Sequence, residues 1–194
     1  MRRRLVVMVK EPRAGRVKTR LGQGIGMTGA AWWMRHQLGS VLRRLRDPRW
    51  ELWLAVTPDG AVASRTFPAD LPRVAQGRGD LGDRMGRILR GGPRRSARPA
   101  GAVCIVGADI PAISRAHVWR AFRTLGAHEA VFGPAEDGGY WLIGLKGLRP
   151  PPPGMFAGVR WSSAQALADT RASLPGMRIA LIDRLRDVDE AADL

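Results

Sequence analysis

Short apolar runs alternate with longer stretches of mixed polarity along the whole chain. Apolar runs of about four to eight residues bounded by turn-forming residues are typical of buried strands, whereas apolar residues that recur every three or four positions indicate helices. The apolar runs predict strands over residues 5–9, 51–57, 73–76, 103–106, 130–132, 141–145 and 178–182. The amphipathic stretches predict helices over residues 27–46, 81–89, 114–125 and 163–174. Strands that alternate with helices favour an α/β fold with a mostly parallel sheet.

The boundaries of these elements carry further signals. Ser114 can cap the free N–H groups in the first turn of the third helix. Residues 22–26 contain three glycines and fit a flexible segment that leads into the first helix, while the Gly-, Pro- and Arg-rich stretches 91–99 and 149–154 predict loops. The apolar side chains of the first helix are expected to form one packing face: Trp32, Trp33, Leu38, Val41, Leu42 and Leu45.

The composition is that of a globular protein. A chain of 194 residues, 45% hydrophobic and 25% charged, can bury one sizeable core and is expected to form a single domain. The sole cysteine, Cys104, lies in an apolar run, where a buried small side chain is expected rather than a nucleophile. No apolar stretch approaches the roughly 18 residues of a membrane span, and the one near the N-terminus is about half the length of a signal-peptide core. A cytoplasmic location and no membrane partner are therefore expected.

The formal net charge of +15 would attract any anion, whether nucleic acid, membrane surface or acidic small molecule. The basic residues are spread over every segment, and no binding module that combines aromatic and basic residues occurs. A non-catalytic nucleic-acid-binding protein is therefore kept as a minor alternative.

The first predicted strand opens into a loop rich in cations. This loop carries Lys10, Gly15, Lys18, Thr19 and Arg20, and it holds two of the chain's three lysines. Arginine binds phosphate oxygens with a planar fork and lysine with a compact charge, so the mixture suits a polyphosphate. The spacing of Gly15 and Lys18 is not that of a Walker A loop. A solvated basic loop after an ordinary strand is the alternative.

A carboxylate follows the buried strand over 103–106. Ligands bind at the carboxyl ends of strands in open α/β sheets, and Asp109 lies just beyond that end. Mg²⁺ or Mn²⁺ held there would screen Asp109 from a diphosphate, since such ions combine one or two carboxylates with phosphate oxygens. The alternative is an Asp that begins a turn before Pro111.

A second acidic point lies between two predicted strands. Asp137 followed by glycine is a strong hairpin signal. As part of a site, Asp137 would be a second ligand or the base that binds an acceptor. Gly138 and Gly139 would let the backbone approach the acceptor, and Tyr140 would form a wall.

Taken in order, these motifs resemble the DUF2064 family, whose members are called glycosyltransferase-like or selenium- and radical-SAM-domain-associated transferases. The resemblance covers nearly the whole chain. It rests on residues 10–12, 15–21, 76–77, 80–85, 107–111, 133–140 and 156–161. The final residues, 187–194, look like the D-x-D-T-P-x-D-L ending of related transferases, with Glu190 and Ala191 in place of Thr and Pro.

The resemblance implies a GT-A-like fold, the three-layer Rossmann-type sandwich of nucleotide-diphospho-sugar transferases. It implies that Lys18 and Arg20 hold phosphates and that Asp109 holds the metal. It also places four residues at a loop and helix start near the nucleotide or acceptor: Asp80, Leu81, Gly82 and Arg84.

The leading hypothesis is a metal-dependent transferase that moves a glycosyl group from a nucleotide-sugar to a small acceptor, with Asp137 positioning or deprotonating the acceptor. A nucleotidyltransferase that releases pyrophosphate is the alternative with the same fold. The single domain of residues 1–194 would divide into a nucleotide-binding core of about residues 1–149 and an acceptor-side region of residues 150–194.

Overall fold

The computed structural model of the chain describes residues 2–91, 101–147 and 151–194. Most of the predicted loop at 91–99 and the start of the one at 149–154 lie outside the described residues. The expected boundary between core and acceptor-side region, at residues 149 and 150, lies outside them as well.

One seven-stranded sheet forms the middle layer, with strands in the order β3-β2-β1-β4-β6-β5-β7. The strands are β1 Arg2–Lys10, β2 Glu51–Thr57, β3 Arg73–Ala75, β4 Gly101–Gly107, β5 Ala130–Pro134, β6 Tyr140–Leu145 and β7 Ile179–Leu181. Strand β6 runs antiparallel to both of its neighbours, and every other adjacent pair is parallel. The predicted mostly parallel sheet is confirmed. Because β6 is antiparallel, its start lies at the same sheet edge as the ends of β1 and β4.

In the described parts of the chain, five α-helices connect the strands: α1 Thr19–Ile25, α2 Met27–Leu45, α3 Leu81–Leu89, α4 Arg115–Thr124 and α5 Ala166–Ala172. Short 3-10 helices lie at Asp59–Ala63 and Ala191–Asp193. None of the helices in the described parts of the chain is long and apolar enough to span a membrane.

The core fills both faces of the sheet. Along β1, Leu5 and Val7 pack in the cluster that contains α2 and α4 residues, whereas Val6 packs with those of α3. This alternation follows from the two-residue period of a strand and produces the three layers expected of a GT-A-like fold. Cys104 is fully buried in the cluster on the α2 and α4 side of the sheet, as predicted, and burial raises the pKa of its thiol.

One predicted core residue lies at the surface. Trp32 is 61% exposed, whereas Trp33 packs against the core and Leu38 and Leu42 are buried. At about 100° per residue, Trp32 lies on the side of the helix opposite the stripe of buried α2 residues, whereas Trp33 lies closer to the margin of that stripe. The predicted packing face of α2 is correct without Trp32.

Candidate active site

A cleft of about 770 Å³ opens at the sheet edge formed by the ends of β1 and β4. Most of the predicted site residues line it: Lys10, Lys18, Thr19, Arg20, Leu81, Asp109, Asp137, Gly139 and Tyr140. The others lie outside its lining: Gly15, Asp80, Gly82, Arg84 and Gly138. Ligands in open α/β folds bind at this edge, so the position of the cleft agrees with the chemistry of its lining.

The cationic loop is anchored where it leaves β1. The backbone N–H of Glu11 donates to the Thr57 carbonyl at 2.9 Å, and the buried Glu11 carboxylate lies 2.6 Å from Nε of Arg13. A hydrogen bond from Ser64 and the Arg13 guanidinium hold the pKa of Glu11 below its ordinary value, although burial opposes this shift. The carboxylate therefore stays charged and fixes the start of the loop.

Two cations of this loop lie free at the cleft. Lys10 and Arg16 are exposed, line the cleft and form no ion pair with any residue that the structure describes. Sequence reasoning missed Arg16, although it stands within the motif 15–21. Unpaired cations beside a cleft suit a polyphosphate ligand.

Lys18 bridges two carboxylates across the cleft floor. Its Nζ lies 2.5 Å from Asp109 Oδ2 and 2.7 Å from Asp189 Oδ1, and its side chain is 11% exposed. Burial alone would lower the pKa of Lys18, but the charges and hydrogen bonds of Asp109 and Asp189 outweigh it and raise the pKa. Arg20 lies 3.5 Å from the same Asp189.

Three carboxylates converge beneath this lysine. Asp109, Asp187 and Asp189 each bring one oxygen within 4.8 Å of the others. Burial and the charges of Asp109, Asp137 and Asp189 raise the pKa of Asp187. Carboxylate oxygens in this number suit a hard divalent cation such as Mg²⁺ or Mn²⁺, so these residues fit the metal that the resemblance implies.

The C-terminal segment brings two of these carboxylates to the end of β4. The Val188 N–H donates to the Asp109 carbonyl at 3.1 Å, and the Val188 side chain is buried beside Leu21 of α1. Asp187 and Asp189 therefore flank a residue that is tied to both β4 and α1. Sequence reasoning noticed their D-x-D pattern but did not place them in the site.

Asp137 lies at the tip of the β5–β6 hairpin. The Ala135 N–H donates to the Gly139 carbonyl at 3.0 Å, and Asp137 Oδ1 accepts from the Gly139 N–H at 2.8 Å. The hairpin interpretation is therefore correct, and Asp137 also lines the cleft. Gly138 has φ +85°, and a Cβ there would lie 2.3 Å from the Ala164 carbonyl oxygen. Its role is to let the 161–166 segment pack against the turn.

An aromatic wall continues from the hairpin. The Tyr140 ring packs edge-on against Phe132 with 5.2 Å between centroids, and its hydroxyl lies 3.4 Å from Thr170 Oγ1. Burial raises the pKa of this phenol. Trp161 lines the cleft beside it and packs against Phe156, with centroids 5.8 Å apart. Trp161 lies in the motif 156–161 but was not predicted as a site residue.

The residues around Asp80 build the start of α3. The Asp80 carboxylate accepts a hydrogen bond from the Asp83 N–H at 2.8 Å, and the Asp83 carboxylate accepts one from the Asp80 N–H at 3.1 Å. The two bonds form a capping box. Arg84 donates from Nε to the Gly79 carbonyl at 3.0 Å. A Cβ on Gly82 would lie 2.7 Å from Phe156 Cβ. Of the four predicted residues in this region, Leu81 is the one that reaches the cleft lining.

Three solved structures resemble this fold. A "putative nucleotide-diphospho-sugar transferase" from Desulfovibrio desulfuricans G20 is 27% identical, with a TM-score of 0.80 over 98% of this chain and 84% of that one. Rv0371c from Mycobacterium tuberculosis H37Rv in complex with manganese is 15% identical, with a TM-score of 0.55 over 100% and 96%. A CMP:2-keto-3-deoxy-manno-octonic acid synthetase complexed with CTP is 12% identical, with a TM-score of 0.57 over 99% and 95%.

The protein thus has the fold of nucleotide-diphospho-sugar and nucleotidyl transferases. Among curated proteins, none matches the chain significantly. The family model described as "Uncharacterized protein conserved in bacteria (DUF2064)" matches residues 41–163, which is more than half of the chain. The resemblance inferred from the motifs is thereby confirmed, and the protein belongs to the DUF2064 family.

Proposed function

We propose that the protein is a metal-dependent glycosyltransferase that uses a nucleotide-diphospho-sugar and a small acceptor. One observation carries the proposal: a loop rich in cations and a cluster of three carboxylates meet in one cleft at the ends of β1 and β4. The Desulfovibrio structure, described by that substrate class, and the manganese complex of a second neighbour support it.

Within this proposal the loop binds the diphosphate. Lys10 and Arg16 have no competing ion pair among the described residues, and Thr19 adds a hydroxyl beside Lys18 and Arg20. Donors fixed on a folded loop stabilise charge that develops on the departing diphosphate. Gly15, outside the cleft lining, would act by shaping the turn between these donors, where its φ is +71°.

The metal would be held by Asp109 together with Asp187 and Asp189. When bound, it would act as a Lewis acid that neutralises the leaving group. Asp80, Gly82 and Arg84 would contribute by fixing the start of α3, so that Leu81 lies against the nucleotide or acceptor.

The acceptor would lie on the hairpin side of the cleft. A bond forms between an acceptor oxygen and the anomeric carbon while the bond from that carbon to the β-phosphate oxygen breaks. The nucleoside diphosphate leaves with the bonding electrons, and the acceptor proton passes to the Asp137 carboxylate. Gly139 and Tyr140 line this side, and the region after residue 150 completes it through Trp161 and its neighbours.

The direct test is product analysis. The protein is incubated with individual nucleotide-diphospho-sugars, Mg²⁺ or Mn²⁺ and pooled small acceptors, and the released nucleoside diphosphate is quantified. Asp109→Asn is expected to abolish release, whereas Asp70→Asn, which alters an exposed ion pair with Arg46, is the matched control and should behave as wild type. Release at the wild-type rate by Asp109→Asn would refute the proposal.

A nucleotidyltransferase is the second candidate, because a structural neighbour binds CTP and four cations suit a triphosphate. In that reaction an acceptor phosphate would attack the α-phosphate of a nucleoside triphosphate. Pyrophosphate release from CTP or GTP with a phosphorylated acceptor, without release of nucleoside diphosphate from sugar nucleotides, would favour it.

A further inference from the structure

Positively and negatively charged side chains of the cleft lie at different positions along the sheet edge. Among the residues that the structure describes, the cations of its lining all come from one segment, residues 10–20, which follows β1: Lys10, Arg16, Lys18 and Arg20. Asp109 follows β4, the next strand, and the β5–β6 hairpin comes after it in the sheet order. The edge therefore passes from a cationic end, through a carboxylate cluster, to the hairpin end.

The hairpin end carries one charged side chain among its described lining residues, and that charge is negative. This wall is built from residues 135–143 of the hairpin and residues 161–166, and Asp137 is its sole ionic group in the cleft lining described. Asp187 adds a further acidic group that interacts with Asp137. An anionic substituent placed there would meet repulsion rather than a counter-ion.

Two arginines close to this wall in sequence, Arg160 and Arg186, are already paired elsewhere. Arg160 forms two hydrogen bonds with the Asp169 carboxylate, at 2.8 and 2.9 Å. Arg186 pairs with Asp193 and lies 3.9 Å from Glu136. Neither lines the cleft. A phosphate at the hairpin end would therefore have to break an existing ion pair to gain a cation from these two side chains.

The remaining surface of the wall suits an uncharged molecule. Tyr140 and Trp161 supply aromatic surface, and each ring is held against a neighbouring aromatic residue. The Ser162 hydroxyl is exposed and has no hydrogen-bond partner among the described residues, whereas Ser163 Oγ donates to the Arg160 carbonyl. Aromatic faces with a few hydrogen-bonding groups and one carboxylate fit a compact ligand rich in hydroxyl groups.

We infer that the acceptor is an uncharged molecule with several hydroxyl groups, such as a sugar or polyol, and that phosphorylated molecules are rejected by Asp137. The inference rests on the proposed glycosyl transfer and names its acceptor class. It also separates the two candidate reactions, since nucleotidyl transfer to a phosphorylated molecule requires an anionic acceptor at this wall.

Binding of matched ligand pairs tests the inference. Saturation-transfer NMR is recorded on the full chain with Mg²⁺ and the nucleoside diphosphate that stabilises it most. The pairs are glucose and glucose 6-phosphate, ribose and ribose 5-phosphate, and glycerol and glycerol 3-phosphate. In at least one pair, the uncharged member is expected to bind roughly tenfold more tightly than the phosphorylated one. A modest repulsion between the phosphate and the Asp137 carboxylate produces a preference of this size.

Two substitutions identify Asp137 as the cause. Asp137→Asn retains an oxygen that can accept from the Gly139 N–H and should remove most of the discrimination, and Asp137→Lys should reverse it. Glu136→Lys, the same charge reversal one residue away and outside the cleft lining, is the control and should keep the wild-type preference.

The outcomes distinguish this inference from the proposed function. Tighter binding of the phosphorylated members, binding of no uncharged member, or unchanged discrimination in Asp137→Lys would overturn the acceptor class. If the nucleoside diphosphate still stabilises the protein in the same samples, the proposed function survives that result. Loss of stabilisation by every nucleoside diphosphate would instead count against the proposed function.

Discussion

At the scale of single residues, two carboxylates hold the Lys18 side chain in the cleft. Its ammonium lies between Asp109 and Asp189, within 2.7 Å of an oxygen of each, and its backbone adopts a left-handed conformation with φ 45°. The same two carboxylates belong to the cluster that fits a divalent cation. Lys18 and a metal ion would therefore compete for these oxygens, whereas a bound polyphosphate would attract both.

Replacement of Lys18 by Met should therefore change metal and nucleotide binding in opposite directions. Without the ammonium, the cluster keeps its negative charge, so affinity for Mn²⁺ alone is expected to rise several-fold, measured by electron paramagnetic resonance of free Mn²⁺. Affinity for a nucleoside diphosphate should fall, because a phosphate donor is lost. Lys146→Met is the control, since Lys146 Nζ donates to the Gly126 carbonyl outside the cleft. Weaker Mn²⁺ binding by Lys18→Met would contradict this competition.

A substitution at Gly82 tests how closely α3 packs against Phe156 and Trp161. A Cβ at this position would lie 2.7 Å from Phe156 Cβ and 2.8 Å from Trp161 Cζ2. Gly82→Ala should therefore destabilise the fold by about 1–3 kcal/mol, the usual cost of overpacking, as measured by urea unfolding. At Gly60 the corresponding Cβ meets no atom within 4 Å, so Gly60→Ala should be close to neutral. Equal stabilities of the two variants would refute the close packing.

At the scale of secondary structure, strong sequence patterns predicted their elements correctly and weak patterns did not. The predicted strand 51–57 and helix 81–89 coincide with β2 and α3, because a continuous apolar run and an amphipathic repeat are local signals. Helix α1 was missed, since glycines lower its helix propensity. Leu21 stabilises it through burial against Ala30 and Val188, contacts that no local pattern reveals.

An ion pair joins Arg160 to Asp169 of α5. The Arg160 guanidinium and backbone N–H hydrogen-bond to Asp169 and lower the pKa of this carboxyl from 3.8 to about 2. A depressed pKa stabilises the fold above the unfolded-state value and ceases to do so as pH falls through the folded-state value. The contribution should therefore be complete above pH 4 and disappear towards pH 2.

Asp169→Asn should accordingly reduce stability at pH 7, and its difference from wild type should shrink as the pH falls from about 4 to about 2. Urea unfolding at several pH values measures this difference. Arg160→Met alone and the double variant complete a double-mutant cycle. A coupling between the two residues that does not change across this pH range would contradict the assigned ion pair.

At the scale of the whole molecule, the fold assembles the candidate site from segments far apart in sequence. The cationic loop and Asp109 were predicted because each follows directly on a buried strand. Asp187 and Asp189 were not, since their contribution depends on the hydrogen bond from Val188 to the Asp109 carbonyl. Asp80 and Arg84 were predicted as site residues from their motif. In the structure their side chains bind the backbone at their own helix start, and neither residue lines the cleft.

The net charge of +15 predicts a second kind of binding with a different salt response. A duplex should bind through general electrostatics and lose affinity steeply between about 50 and 200 mM salt. A metal–nucleotide complex in the cleft should persist, because short contacts in a partly buried site are screened less. Fluorescence anisotropy with a labelled duplex and a labelled nucleotide measures both. Nucleic-acid binding that survives 200 mM salt, with no nucleotide binding, would favour the non-catalytic alternative.

Thermal stabilisation tests most directly whether Asp109 belongs to a metal-dependent nucleotide site. The melting temperature is measured with a panel of nucleoside mono-, di- and triphosphates and nucleotide-sugars, with and without Mg²⁺ or Mn²⁺. Ligands that bind the native state alone raise the melting temperature. The predicted result is a rise in the melting temperature that requires the metal, is largest for one nucleotide-diphospho-sugar and is lost in Asp109→Asn. No rise with any ligand, or an equal rise in Asp109→Asn, would contradict the claim.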